Sequence, residues 1–322
     1  MRILLKSLLI IGTALAGTAT IAQQPYPSRP VTITVPFSPG SGVDVPARIA
    51  ADLLSKAMSQ TFVVENRTGA AGMIATTHVA GLPADGYNLL ANSAAHTLYP
   101  SLYKSLRFDP AKDFVPVAPI AEVPLVLVAA PSRGWRSVRE MLAYAKANPG
   151  KLNYGSAGKG TTSHMSFERL RAAAQISGAH IPFKGTPEAI TDVMAGRVDV
   201  VYTTVSAAAA GIAANRLVPL AVGGRTRAPG LPDVPTTLEA GYPESDYTVW
   251  VGLLAPAGTP AAVVERINNE LRKAMATPEA QDRITKSGLA PMSMTVAQFQ
   301  AAVRQEFSTN AAITKAAGIE PE

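Results

Sequence analysis

The chain has 322 residues, of which 47% are hydrophobic and only 16% charged; the length suggests two domains, and the balance is too apolar for a disordered chain. Lysine and arginine number 29 against 23 acidic residues, a net +6, but the basic residues are scattered singly, so no phosphate-neutralising run marks a nucleic-acid partner. There is no cysteine, which removes disulfides, thiolate metal sites and cysteine nucleophiles.

Arg2 and Lys6 precede an apolar stretch over residues 8–22, and Thr20 and Ala22 sit at the spacing a signal peptidase reads. Residues 1–22 read as a cleaved secretory signal, because glycines and threonines leave the stretch short of a membrane span. The mature chain then carries 27 basic against 23 acidic residues, or +4. Export without cysteine fits a bacterial periplasm.

After the signal, short β-branched runs alternate with helical patterns, the mark of an α/β protein with largely parallel sheets. Residues 31–35 read as a strand that ends at Pro36 and enters a glycine-rich loop, with Asp44 as N-cap of a helix to about Met58. A strand at 61–65, a turn at Gly69-Ala70-Ala71-Gly72 and a strand near 88–91 follow. Residues 114–130 are almost continuously extended and suit a crossing into a second domain; Ser137 then caps a helix over 138–147.

The second unit repeats the pattern: a strand at 152–155, a glycine loop, a helix around 163–174, a strand near His180, and a helix with Thr186 as N-cap and Pro187 following. Strands at 198–202 and 217–222 come next, and the Ala207 to Ala210 run reads as a packed helix face. Residues 246–254 form the return crossing, leading to a helix ending near Ala276 and two more capped by Thr277 and Thr295. The expected domains are therefore discontinuous: 26–122 with 248–322, and 123–247. Trp250 on the return strand either stacks beside a ligand or fills the hinge.

Two loops carry the chemistry. The first, Pro36-Phe37-Ser38-Pro39-Gly40-Ser41-Gly42-Val43-Asp44, joins a strand to a helix and leaves amides and the positive end of a helix dipole for an anion. It lacks the dinucleotide-binding spacing. The second, Tyr154 to His164, packs Ser156, Gly158, Gly160, Thr161, Thr162 and Ser163 between strand and helix; its Gly-Lys-Gly-Thr-Thr segment is too short for a nucleotide-binding P-loop. Amides and hydroxyls there suit a carboxylate or similar small anion. His164 and Glu168 stand four apart, but no paired histidine motif accompanies them, and no metal is expected. Ser156 in Gly-Ser-Ala-Gly is one residue short of a hydrolase elbow, so no catalytic residue is named. Asp192 and Asp199 read as structural.

The succession of the first loop, Glu65-Asn66-Arg67-Thr68-Gly69-Ala70-Ala71-Gly72, Ala84-Asp85-Gly86-Tyr87, Phe108-Asp109-Pro110, Tyr154 to His164, Phe183-Lys184-Gly185-Thr186-Pro187-Glu188-Ala189, Leu231-Pro232-Asp233-Val234-Pro235-Thr236 and Ala255-Pro256-Ala257-Gly258-Thr259-Pro260 resembles the tripartite tricarboxylate transporter substrate-binding receptors, also called the Bug family. The resemblance covers essentially the whole mature chain in order. It implies a type II-like two-domain periplasmic binding protein whose hinged cleft closes on a small organic acid, without a cofactor, and presents it to the membrane permease subunits of such a transporter. It also implies the ligand-binding set: Phe37, Ser41, Gly42 and Asp44 from the first loop; Ser156, Gly158, Thr161, Thr162 and His164 from the second; and Ala70, Ala71, Gly72, Ser93, His96, Gly185 and Thr186 around the rim. Asp44 and His164 are taken mainly as loop organisers. Gly40-Ser41 stands where many relatives have two glycines, and Tyr202-Thr203-Thr204 where some have an acid or amide, which favours a plain carboxylic acid over an amino acid.

A receptor of this kind works as a monomer. The rivals are a receptor that reports ligand to a membrane sensor, an α/β enzyme, and a binding protein for a neutral metabolite.

Overall fold

The computed structural model describes residues 26–183, 185–247 and 249–321; the expected signal at 1–22 lies outside the described residues. Strand β1 (Val31–Val35) pairs in parallel with β2 (Phe62–Asn66) and β3 (Asn88–Ser93). Val31, Ile33 and Val35 are fully buried. They share one core with helix α1 (Asp44–Met58), whose Ala47, Ala50, Ala51, Leu54 and Met58 recur at helical spacing on its buried side. Helix α8 (Ala261–Met275) adds Val264, Ile267 and Leu271 to the same core.

Strand β10 (Val249–Pro256) runs antiparallel between β3 and β4 (Phe114–Val123), with the two-residue β11 (Ala290–Pro291) antiparallel to β4 on the edge, giving the order β11-β4-β10-β3-β1-β2. At Pro124 the chain passes to the second sheet through β5 (Leu125–Ala129). There β6 (Asn153–Ser156) pairs in parallel with β7 (Ala179–Pro182) and β8 (Val200–Thr204), while β5 runs antiparallel to β8 and to β9 (Val218–Val222), in the order β7-β6-β8-β5-β9. The architecture is α/β with two sheets, but the sheets are mixed rather than largely parallel. The two strands that receive the chain from the other sheet without a helical crossover, β5 and β10, are the ones that run against their neighbours.

Capping follows the sequence at three places: the hydroxyls of Ser137, Thr277 and Thr295 accept from the amides of Glu140, Ala280 and Gln298. Two other caps differ. Asp44 is the first residue of α1, after Val43, because its carboxylate turns back to the Gly40 amide. Thr186 opens α6 (Thr186–Met194) after an extended Gly185. Helix α2 (Met73–Ala80) and the single turn α3 (Tyr99–Leu102) were not anticipated; the β-branched Ile74, Thr76 and Thr77 and the short spans give no clear helical period.

The last helix, α10 (Val296–Ala316), reaches both sheets' elements: buried Asn310 donates to Thr97 Oγ1 at 2.8 Å and accepts from Arg169 of α5 (Thr162–Ala174) at 3.0 Å. Trp250 is buried in the crossing, where it donates Nε1–H to Glu306 Oε2 at 2.6 Å and meets the Phe299 ring edge-on. Asp199 is structural, accepting from the Asn153 amide at 2.7 Å and pairing with Arg133.

Candidate functional site

The first loop leaves β1 and is held by one carboxylate. Asp44 Oδ2 accepts from the Gly40 amide at 2.8 Å and from Arg48 Nε at 2.9 Å, and Oδ1 accepts from Asn66 Nδ2 at 2.7 Å. Asn66 Nδ2 also donates to the Phe37 carbonyl, and Asn66 Oδ1 accepts from Arg48. Asp44 is almost wholly buried. Burial opposes its ionisation, but the hydrogen bonds from Arg48, Asn66 and Gly40 more than offset this and hold its carboxyl below the usual range. Ser41 Oγ accepts the Asp44 amide at 3.2 Å, and the Ser41 amide donates to the Ser38 carbonyl. The amides of Gly42 and Val43, at the mouth of α1, have no acceptor among the described residues.

Next to it, Gly69, Ala70, Ala71 and Gly72 form a short left-handed turn, with φ of 126°, 45°, 52° and 92°. For the two alanines this conformation costs about 1–2 kcal/mol each. A Cβ on Gly72 would lie 2.8 Å from Tyr99 Oη and 3.1 Å from Pro36 Cβ, so only glycine lets the turn pack against both. The Tyr99 hydroxyl donates to the Ala71 carbonyl at 3.0 Å. Two members of the expected rim lie differently. His96 is 1% exposed, bonded through Nε2 to the Pro110 carbonyl at 2.9 Å and edge-on to Phe114, so it is a core residue; burial pushes it down to about 4. Ser93 is 9% exposed and accepts the Ala95 amide.

The second loop consumes most of its own groups. Fully buried Ser156 Oγ accepts the Gly158 amide, and Ser163 Oγ accepts the Ala157 amide, both at 3.0 Å. The Thr161 hydroxyl donates to the Gly158 carbonyl at 2.7 Å, and the Gly160 amide donates to His164 Nδ1 at 3.0 Å. Because Nδ1 accepts, the His164 proton sits on Nε2. The groups left for a ligand are the first-turn amides of α5, over Thr162, Ser163 and His164, which no helix bond can satisfy.

His180 was missed by sequence reasoning. Its Nε2 lies 2.6 Å from Ser156 Oγ, and its ring stacks on that of His164 at 3.9 Å. Burial, then the facing His180, pushes His164 down to about 4; burial also lowers His180, so the stack is uncharged near neutral pH. His180 stands alone in its strand, and only the parallel pairing Tyr154↔His180 of β6 and β7 brings it here. Glu168 does not join His164 as a ligand pair: they are 4.0 Å apart, and Glu168 is taken up by the Tyr154 hydroxyl and by Arg171.

Contacts link these pieces. The Phe183 amide donates to the Ser156 carbonyl at 2.9 Å, which sets the Gly185-Thr186 turn beside the second loop. A Cβ on Gly160 would meet Leu102 Cδ2 at 2.5 Å, so the second loop abuts α3, whose Tyr99 contacts the left-handed turn next to Phe37. Asn66, Tyr99 and Leu102 are the supports that sequence reasoning left unnamed. A separate cavity of about 900 Å³ includes none of the expected ligand residues in its lining.

Residues 46–319 match the profile of the family described as "Tripartite tricarboxylate transporter family receptor". The "UPF0065 protein in tcbD-tcbE intergenic region" of Pseudomonas sp. (strain P51) is 40% identical over 282 residues, covering 87% of this chain and 84% of that one. Among solved structures, an R. palustris protein with adipate superposes with a TM-score of 0.74 at 32% identity, over 92% of this chain and 100% of that one. MatC from Rhodopseudomonas palustris with bound malate gives a TM-score of 0.69 at 29% identity, over 89% and 99%.

Proposed function

The chain belongs to the tripartite tricarboxylate transporter receptor family, and from that premise we propose that it is a periplasmic binding protein that captures a small organic acid between two α/β domains, 26–122 with 248–322 and 123–247, and delivers it to the membrane subunits of such a transporter. The observation that carries this reading is the pair of strand-to-helix loops, each ending in helix amides that have no acceptor among the described residues. In it, the Gly42 and Val43 amides with the Ser41 hydroxyl take one side of a carboxylate. The Thr162, Ser163 and His164 amides with the Thr162 hydroxyl take the other. Asp44, Ser156, Thr161 and His164 hold the loops in shape. The left-handed Ala70-Ala71 turn supports the first loop, in keeping with the tendency of such strained backbone to gather at ligand clamps.

Two relatives of known structure, solved with adipate and with malate, support a carboxylate as ligand. In this reading the protein performs no reaction. Among the described residues no carboxylate hydrogen-bonds His180, and the Ser156 hydroxyl is engaged by Gly158, so the Ser156–His180 pair lacks an orienting acid.

The test is thermal unfolding of the mature protein with succinate, malate, glutarate and adipate, against chloride at equal ionic strength. A ligand that binds only the folded state adds about 4 kcal/mol at a thousand times its Kd, so at least one acid should raise Tm in a saturable way. If all leave Tm unchanged at millimolar concentration, the reading fails.

A further inference from the structure

The cavity of about 900 Å³ lies among Glu122 of β4, Arg169 of α5, Trp250 of β10, Glu306 of α10, and Arg225 and Asp246 of the segments between. Its volume is that of a small-molecule site. Both arginines already have partners. Arg225 Nε donates to Asp246 Oδ2 at 2.9 Å. Arg169 donates to the Asp246 carbonyl and to Asn310 and lies over the Tyr247 ring, while its Nε is buried with no acceptor among the described residues.

The carboxyls are the unmatched groups. Glu122 has no hydrogen-bond or ion-pair partner among the described residues, and Glu306 accepts the Trp250 indole N–H beside Thr97 without any ion pair. Glu244 adds a further acid to the wall. Burial, reinforced by the nearby Asp246 and only partly opposed by Arg225, pushes Glu122 up to about 7; burial, with Asp246 adding to it, does the same to Glu306, against the Trp250 and Thr97 hydrogen bonds and Arg169. A bound cation would relieve both.

Metal-type ligands are not gathered there: among the described residues no group of three His, Cys, Asp or Glu could hold an ion. Trp250, Met292 and Met294 instead offer an aromatic and thioether wall, which suits an organic cation. We propose that this cavity is a second ligand site, separate from the two loops, that takes a small aliphatic amine, its ammonium charge balanced by Glu122 and Glu306 and its methylenes lying against Trp250, Met292 and Met294.

The probe is 1,4-diaminobutane, titrated calorimetrically into the full mature protein at constant ionic strength and followed also by tryptophan fluorescence. Saturable binding is expected at about pH 8, weakening at least about tenfold by about pH 5.5 as the two carboxyls take up protons. The double variant Glu122→Gln, Glu306→Gln keeps an acceptor for Trp250 and should lose at least about tenfold in affinity for the amine at pH 8. Its response to the acid panel should be that of the wild type, which separates this site from the carboxylate reading. No saturable binding, or an affinity indifferent to both pH and the double substitution, overturns the proposal; should the double variant fold poorly, the wild-type pH dependence alone decides.

Discussion

Replacing Asp44 by asparagine probes whether the first loop is shaped by one buried carboxylate. The wild-type carboxylate accepts from Gly40, Arg48 and Asn66 at 2.7–2.9 Å. An asparagine keeps the volume but turns an NH₂ towards at least one of those donors. Hydrogen bonds to charged groups contribute about 1.5–3 kcal/mol each, so one donor left facing a donor and two weakened bonds should cost about 2–4 kcal/mol. Urea unfolding at neutral pH measures that loss. Because the folded carboxyl is held below its usual range, its stabilisation is present above the unfolded value near 3.8 and disappears as pH falls through the folded one. The gap between wild type and variant should therefore close in strong acid. The acid that stabilises the wild type should bind the variant at least about tenfold more weakly, since the Gly42 and Val43 amides lose their frame. An Asp44→Asn protein with wild-type stability and wild-type acid affinity would mean that this carboxylate does not shape the loop.

Gly72→Ala forces a side chain into φ of 92° and within 2.8 Å of Tyr99 Oη, so stability should fall by about 2–3 kcal/mol in chemical unfolding, with weaker acid-dependent stabilisation. Buried His96, held down at about 4 against about 6.5 when unfolded, binds fewer protons folded than unfolded in that window, so stability drops as pH falls from 6.5 towards 4. Its share at pH 5 is about 2 kcal/mol, and a His96→Gln variant should show a correspondingly flatter pH profile of Tm than the wild type.

Much of this was legible in the sequence because the local signals agree with the tertiary demands. Val31, Ile33 and Val35 alternate with β-branched Thr32 and Thr34 in a strand, and Ser137, Thr277 and Thr295 stand where helix amides need acceptors. The strand-to-helix loops were visible through their glycines. What their amides do was not, because Gly158, Gly160 and Thr161 spend their hydrogen bonds inside the loop, and that accounting needs coordinates. His96 was placed at the rim by the family resemblance alone; Phe114 and the Pro110 carbonyl, supplied by a later stretch of chain, bury it. His180 and Asn66 gave no local signal at all. Each acquires its partner only through parallel strand pairing, which places His180 beside Tyr154 and Asn66 beside Val35.

A protein built to hold a small organic acid should carry one out of the cell. Native mass spectrometry of the mature chain, purified without refolding, tests it most directly. The expected result is a bound species whose added mass matches a carboxylic acid, displaced by excess of the acid that raises Tm. A chain that is always empty, and to which none of the acids adds its mass at saturating concentration, would contradict it.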